Sequence, residues 1–181
     1  TAYEMRESDW SSDVCSSDLL PGDCVNPIID RIQLGRVAVR AFDIPHDAAA
    51  PVGYIIQGTS RCVVATDIGN VDDRLQQMLE GAQVLVLEAN HDEEMLKQGS
   101  YPYNLKQRIL GPLGHLSNRR MAQVVAELQR RPQKLILAHL SESNNRPELA
   151  MDTVKSVLDS YGINNMEIYM TAQNHSTSVA F

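Results

Sequence analysis

The chain lacks any apolar run near the roughly 20 residues that a membrane-spanning helix needs, which excludes such a helix on sequence grounds. Cysteine is scarce, three in 181 residues with no Cys-x-x-Cys pair. That excludes a disulfide framework and fits a reducing, cytoplasmic compartment. No internal repeat and no low-complexity tract interrupts it. What remains is a length that suits one domain, with a hydrophobic content of 43% that suits a packed core.

The first nineteen residues do not match that globule. TAYEMRESDWSSDVCSSDL has no hydrophobic period, and the composition changes abruptly at Leu20. It back-translates into a common high-throughput sequencing adapter, with Thr1–Glu4 and Asp9–Leu19 as constant parts. Residues 1–19 are therefore expected to be a non-native, disordered leader, and residues 20–181 the native domain. The leader carries Glu4, Glu7, Asp9, Asp13 and Asp18 against Arg6, so only −3 of the formal charge of −7 belongs to the remainder. Near-neutrality of that kind does not argue against an anionic substrate. Cys24 and Cys62 remain after the leader is set aside.

From Leu20 the periodicities alternate. Residues 20–32 read as a linker-like entry, with a turn at Gln33-Leu34-Gly35. Strands are expected over 36–44, 52–57, 61–66, 84–87, 134–138 and 167–170. Helices are expected from an Asn70 or Asp72 cap through Glu80, over 93–98 and 104–110, from a Ser117 or Asn118 cap to about Arg130, and over 147–160. Residues 171–181 are expected to fray. Met78, Met95 and Met121 sit at core spacing. Alternating strands and helices give an α/β layered fold, and chemistry-bearing residues collect just past strand ends, where α/β sheets place ligands.

The strand CVVA runs straight into Thr66-Asp67. Val37–Ile44 runs into Pro45-His46-Asp47, and Lys134–Ala138 into His139. A carboxylate at the end of a buried strand is costly unless a cation meets it. Imidazole and carboxylate donors suit a divalent metal, so His46, Asp67 and His139 are the candidate ligands. For each histidine a hydrogen-bonded structural role is the alternative. His91-Asp92 reads as a helix cap, or as groups standing behind a ligand imidazole. Ser141, Asn144 and Asn145 either shape the mouth of a site or turn the chain. Lys106, Arg108, Arg119 and Arg120 either bind a nucleic-acid backbone or form a solvated face. His175 sits in a Ser/Thr-rich tail and reads as functionally silent.

Five blocks in one order extend this reading: Pro45-His46-Asp47 with Val52-Gly53-Tyr54; Thr66-Asp67-Ile68-Gly69; Glu88-Ala89-Asn90-His91-Asp92; Gly114-His115-Leu116-Ser117-Asn118; and Ala138-His139-Leu140-Ser141 with Asn144-Asn145. That order resembles the metallo-β-lactamase superfamily, in its YycJ/WalJ-like branch related to ribonuclease Z, from about Leu20 onward. The resemblance implies an αββα sandwich. It implies that His46, Asp67 and His139 ligate two divalent ions, zinc or manganese, with Asp67 bridging. It implies a catalytic His115 that contacts a substrate phosphate or protonates a leaving group, a catalytic role for Asp67, and substrate contacts around Ser117, Asn118 and Asn144. The activity implied is phosphodiester hydrolysis by a metal-bound hydroxide, on DNA or RNA. A thioesterase or cyclic-phosphate phosphodiesterase is the alternative. A metal-free binding domain is a third possibility, disfavoured by the retained ligand motifs. The family's main motif, His-x-His-x-Asp-His, occurs nowhere in the sequence. The chain is therefore expected to be the C-terminal part of such a domain, weak in metal binding and inactive alone.

Overall fold

The computed structural model describes residues 31–171 and 177–179. The leader at 1–19, the entry up to residue 30 and His175 lie outside the described residues. Among the described residues, seven strands form one sheet in sequence order: β1 (Arg31–Leu34), β2 (Val37–Asp43), β3 (Val52–Gln57), β4 (Arg61–Ala65), β5 (Val84–Glu88), β6 (Lys134–Ala138) and β7 (Glu167–Met170). β1 to β4 form an antiparallel meander, and β4 to β7 run parallel. The helices are α1 (Asp73–Leu79), α2 (Glu93–Gln98), α3 (Tyr103–Ile109), α4 (Asn118–Glu127) and α5 (Pro147–Ser160).

The elements follow the expected ones to within a residue at each end, with two larger differences. The entry does not run to Ile32 as a linker, because Arg31–Leu34 pairs with β2. Gly35, at φ 59°, makes the tight reversal between them. A four-residue edge strand with two polar side chains carries little periodicity to read. Helix α4 stops at Glu127 rather than near Arg130. Leu128 turns extended, and the next two backbone N–H groups, of Gln129 and Arg130, donate to the Glu80 carboxylate instead of continuing the helix.

Parallel strands buried against helices read as continuous apolar runs. Here Val63, Leu85 and Leu135 share one register row, and Ala65, Leu87 and Leu137 the next. All six have no exposed surface. Met121 and Val125 of α4 and Ala150, Val154 and Leu158 of α5 complete the core on that face, and burying each larger side chain stabilises the fold by about 1.5–3 kcal/mol. The opposite face carries Val39, Ile56, Val64, Val86 and Ile136, which are only half-buried. Among the described residues, one sheet, apolar on both faces but layered on one, is the incomplete form of the expected sandwich. None of the described helices is long and apolar enough to cross a membrane.

Candidate metal centre

Strands β2, β4, β5 and β6 all point the same way, so their carboxyl ends meet at one edge of the sheet. There they deliver His46, Asp67, Glu88 and His139. His115 comes from the loop that precedes α4. Together these line or floor a cleft of about 460 Å³, whose other walls include Asp47, Arg108 and Ser141.

Asp67 is the hub. Its Oδ1 lies 3.8 Å from His46 Nε2, 3.6 Å from His139 Nδ1 and 4.0 Å from His115 Nδ1. These separations are too long for hydrogen bonds. They suit donor atoms gathered around a shared cation, whose bonds to imidazole and carboxylate run about 2.0–2.2 Å. The three rings stand in a row, with His115 centred 5.1 Å from His46 and 5.3 Å from His139.

Each ring is oriented by a neighbour. His46 Nδ1 lies 3.1 Å from the Gly114 carbonyl. A carbonyl only accepts, so Nδ1 carries the proton and Nε2 turns its lone pair toward Asp67. His115 Nδ1 lies 2.7 Å from Glu88 Oε1. Glu88 is fully buried, also accepts from the Ile68 N–H, and stands 3.7 Å from His139 Nδ1. Burial would push its pKa up, but His115 and His139 more than offset that and hold it below the ordinary carboxylate range. Glu88 in turn raises the His139 pKa, against the opposing effect of burial.

The backbone is bent to serve this geometry. Asp67 (φ 59°) and His139 (φ 56°) are the only non-glycine residues with positive φ among those described. That conformation costs about 1–2 kcal/mol for an L residue. Both are candidate ligands, and each lies within two residues of a strand's carboxyl end, Asp67 after β4 and His139 after β6. Close packing of three loops fixes the rest. A Cβ on Gly69 would stand 2.4 Å from the backbone of Pro112 and Gly114, and the Gly69 N–H donates to the Pro45 carbonyl. Only glycine lets the β4 loop pass between the loops carrying His46 and His115.

The structure thus brings His46, Asp67, His115 and His139 together. Asp92 caps α2, accepting from the Glu94 and Met95 N–H groups. His91 is buried one residue earlier, and its burial lowers its pKa to about 4. Ser117 caps α4, accepting from Arg120 N while donating to Glu93. Asn118 and Asn145 are buried and bond to each other. Asn144 is buried too, and its backbone carbonyl accepts from Asp92 N. Side chains reaching the cleft from that last loop are Ser141, Glu142 and Ser143. Arg108 is drawn over the cleft by Asp47, whose pKa it lowers. Lys106 donates to the carbonyls of Lys97 and Gly99, and Arg120 pairs with Glu127.

Sequence reasoning missed Glu88 as a member of the site. The signal was available: it closes an apolar strand just as Asp67 does. The Asp47–Arg108 pair left no local signal, since 61 residues separate the partners.

The donor set, the imidazoles of His46 and His139 with the Asp67 carboxylate around one cleft, with buried Glu88 behind the His139 and His115 rings, fits a divalent metal. Two overlapping groups, His46 with Asp67 and His115, and Glu88 with His115 and His139, bring their donor atoms within 4.8 Å of one another.

Comparison with known proteins bears on the family and the fold. Residues 24–140 match the Beta-lactamase superfamily domain. The exodeoxyribonuclease YycJ of Bacillus anthracis is 42% identical over 130 residues, 71% of this chain and 49% of that protein. The exodeoxyribonuclease WalJ of Streptococcus pneumoniae (strain D39) is 43% identical over 126 residues, 68% and 47% of the two chains. The chain therefore spans about half the length of the curated relatives it matches. Among solved structures, the metallo-β-lactamase fold protein YhfI of Bacillus subtilis superposes with a TM-score of 0.56 at 14% identity, over 81% of this chain and 51% of that one. Zn(2+)-bound PqqB of Methylobacterium extorquens gives 0.55 at 15% identity, over 81% and 48%. These two likenesses establish the fold alone. By its sequence match over residues 24–140, the chain belongs to the β-lactamase superfamily domain family.

Proposed function

We propose that the protein is a metal-dependent hydrolase of phosphodiester bonds, acting on nucleic acid as a DNA exonuclease in the cytoplasm. The observation that carries this reading is the gathering of His46, His115 and His139 around one Asp67 oxygen at 3.6–4.0 Å, above a buried Glu88. The names of the two curated relatives support the substrate class.

In this reading His46, Asp67 and His139 would hold the divalent metal, two ions of zinc or manganese. A bound divalent ion supplies a Lewis acid and lowers the pKa of water toward about 7. The protein's own groups do the rest. Gly114 fixes the His46 tautomer. Glu88 holds the His115 ring, and in the protonated ring Nε2–H is left to face the phosphate. Hydroxide, formed when the water gives its proton to solvent, bonds to phosphorus as the bond to the leaving oxygen breaks, and His115 supplies the proton that the leaving alkoxide takes. Ser117, Asn118 and Asn144, which lie buried beside these loops, are the proposed substrate contacts. Arg108, held by Asp47, stands where an incoming phosphate meets the cleft.

The chain as it stands has no His-x-His-x-Asp-His segment, and the proposal includes weak metal binding and negligible turnover for it alone. The test joins it to an N-terminal half carrying that motif and assays labelled single- and double-stranded DNA with manganese or zinc. Metal-dependent cleavage that disappears in His115→Ala is the expected result. Turnover of a thioester or a cyclic phosphate with no cleavage of any nucleic acid would overturn the reading in favour of a small-molecule hydrolase.

A further inference from the structure

Arg31, Arg40 and Arg61 line a shallow groove of about 190 Å³ on the helix-bearing face of the meander, over Ala38, Ile55 and Gln57. Arg61 opens β4 at the end opposite the one where Asp67 leaves it, so the groove is separate from the cleft. Arg31 and Arg40 are direct cross-strand partners. Like charges placed opposite one another in a ladder are destabilising.

The charges are also uncompensated. Arg31 donates to Gln33 Oε1, Arg40 to Met78 Sδ and Arg61 to the Met78 carbonyl. None of the three pairs with a carboxylate among the described residues. Among the described residues the Arg61 Nε is buried with no hydrogen-bond partner, although buried donors are nearly always satisfied. Burial, with Arg40 and Arg130 nearby, lowers the Arg61 pKa. A cradle of guanidinium groups with donors to spare matches phosphate oxygens, which guanidinium binds in bidentate fashion.

We propose that this groove is a second binding site for the nucleic-acid substrate, holding its phosphodiester backbone away from the metal centre. The choice of occupant rests on the nuclease reading of the cleft. Backbone interactions of this kind add affinity and register without reading sequence. They also let the chain grip a strand independently of any metal.

The test measures binding of a fluorescein-labelled single-stranded oligonucleotide to the full chain by anisotropy, in EDTA, across a salt series. Two variants are compared with the unmodified chain: Arg40→Gln with Arg61→Gln, and Arg31→Gln with Arg40→Gln, the second sparing the bond from Arg61 to Met78. For single strands the log–log salt slope falls by about 0.7 for each phosphate that is no longer neutralised. Each double variant is therefore expected to lower the slope by about 1.4, and to bind about tenfold more weakly at low salt. Inorganic phosphate at constant ionic strength should leave binding unchanged. Folded variants that bind with the unmodified slope and affinity would overturn the proposal. So would millimolar phosphate displacing the strand, which would make this a free-anion site. The cleavage assay for the metal centre is an independent readout. Altered binding without cleavage would fail the nuclease reading and leave the groove standing, whereas cleavage with unaltered binding would fail the groove alone.

Discussion

His139 Nδ1 lies 3.6 Å from Asp67 Oδ1 and 3.7 Å from Glu88 Oε1, one carboxylate open to the cleft and the other sealed beneath it. The buried carboxylate raises the His139 pKa. In the metal-free chain this contribution to stability is complete below the unfolded value near 6.5 and is lost as pH rises through the raised folded value. In Glu88→Gln the amide oxygen can still accept from Ile68 N–H, but the charge is gone. The His139 titration, followed by NMR, should move to lower pH, and stability should fall by about 1.5–3 kcal/mol, the size of a hydrogen bond to a charged group. An unmoved His139 titration would show that Glu88 does not govern this ring.

His91 carries the opposite sign. Burial holds its pKa down at about 4, so between that value and 6.5 the unfolded chain binds a proton that the folded chain refuses. Its contribution is present above pH 6.5 and is lost as pH falls toward 4, by up to about 3 kcal/mol. Urea unfolding of the metal-free chain at stepped pH should show this loss, reduced by the opposing His139 contribution. In His91→Gln the decline should flatten. An equal decline in both proteins would assign the acid sensitivity elsewhere.

Strain at Asp67 gives a comparison between two substitutions. Both Asp67→Ala and Asp67→Gly remove the carboxylate, and both should abolish metal binding. With φ at 59°, glycine accepts the backbone that alanine resists. The glycine variant should be the more stable of the two by about 1 kcal/mol in metal-free thermal or urea unfolding. Equal stabilities would mean that this backbone is not held in its positive-φ conformation in solution.

Gly69 contributes no ligand side chain, yet a Cβ there would press to 2.4 Å from the backbone of Pro112 and Gly114. Those atoms cannot rotate away as a flexible side chain can. Gly69→Ala should cost about 1–3 kcal/mol, and it should weaken metal binding by shifting the loops that carry His46 and His115. Isothermal titration with zinc checks the second effect. Unchanged affinity would mean that these loops do not need the close passage.

Much of this architecture was legible in the sequence because apolar runs and caps are local signals. Strand β6 and helix α5 could be read to the residue from Lys134–Ala138 and Pro147–Ser160. The convergence of His46, Asp67 and His139 was legible because each follows a strand, and strands that run the same way put their carboxyl ends at one edge. Strand β1 was not legible, since four residues with Arg31 and Gln33 on one face say little without β2 beside them. Nor was the end of α4, which depends on Glu80, an acceptor 49 residues from Gln129. Glu88 shows a different limit. A carboxylate closing an apolar strand reads equally well as a ligand, a cap or a loop start. Only the two imidazoles folded over it reveal that it positions rings rather than meeting solvent.

The most direct measurement is anomalous diffraction from crystals of the chain held in millimolar zinc. The expected result is a peak within about 2.0–2.3 Å of the Asp67 carboxylate and of at least one of His46 Nε2 and His139, and its absence in crystals of Asp67→Ala. A map in which the ions sit on other surface groups while the cleft between these side chains stays featureless would contradict the account.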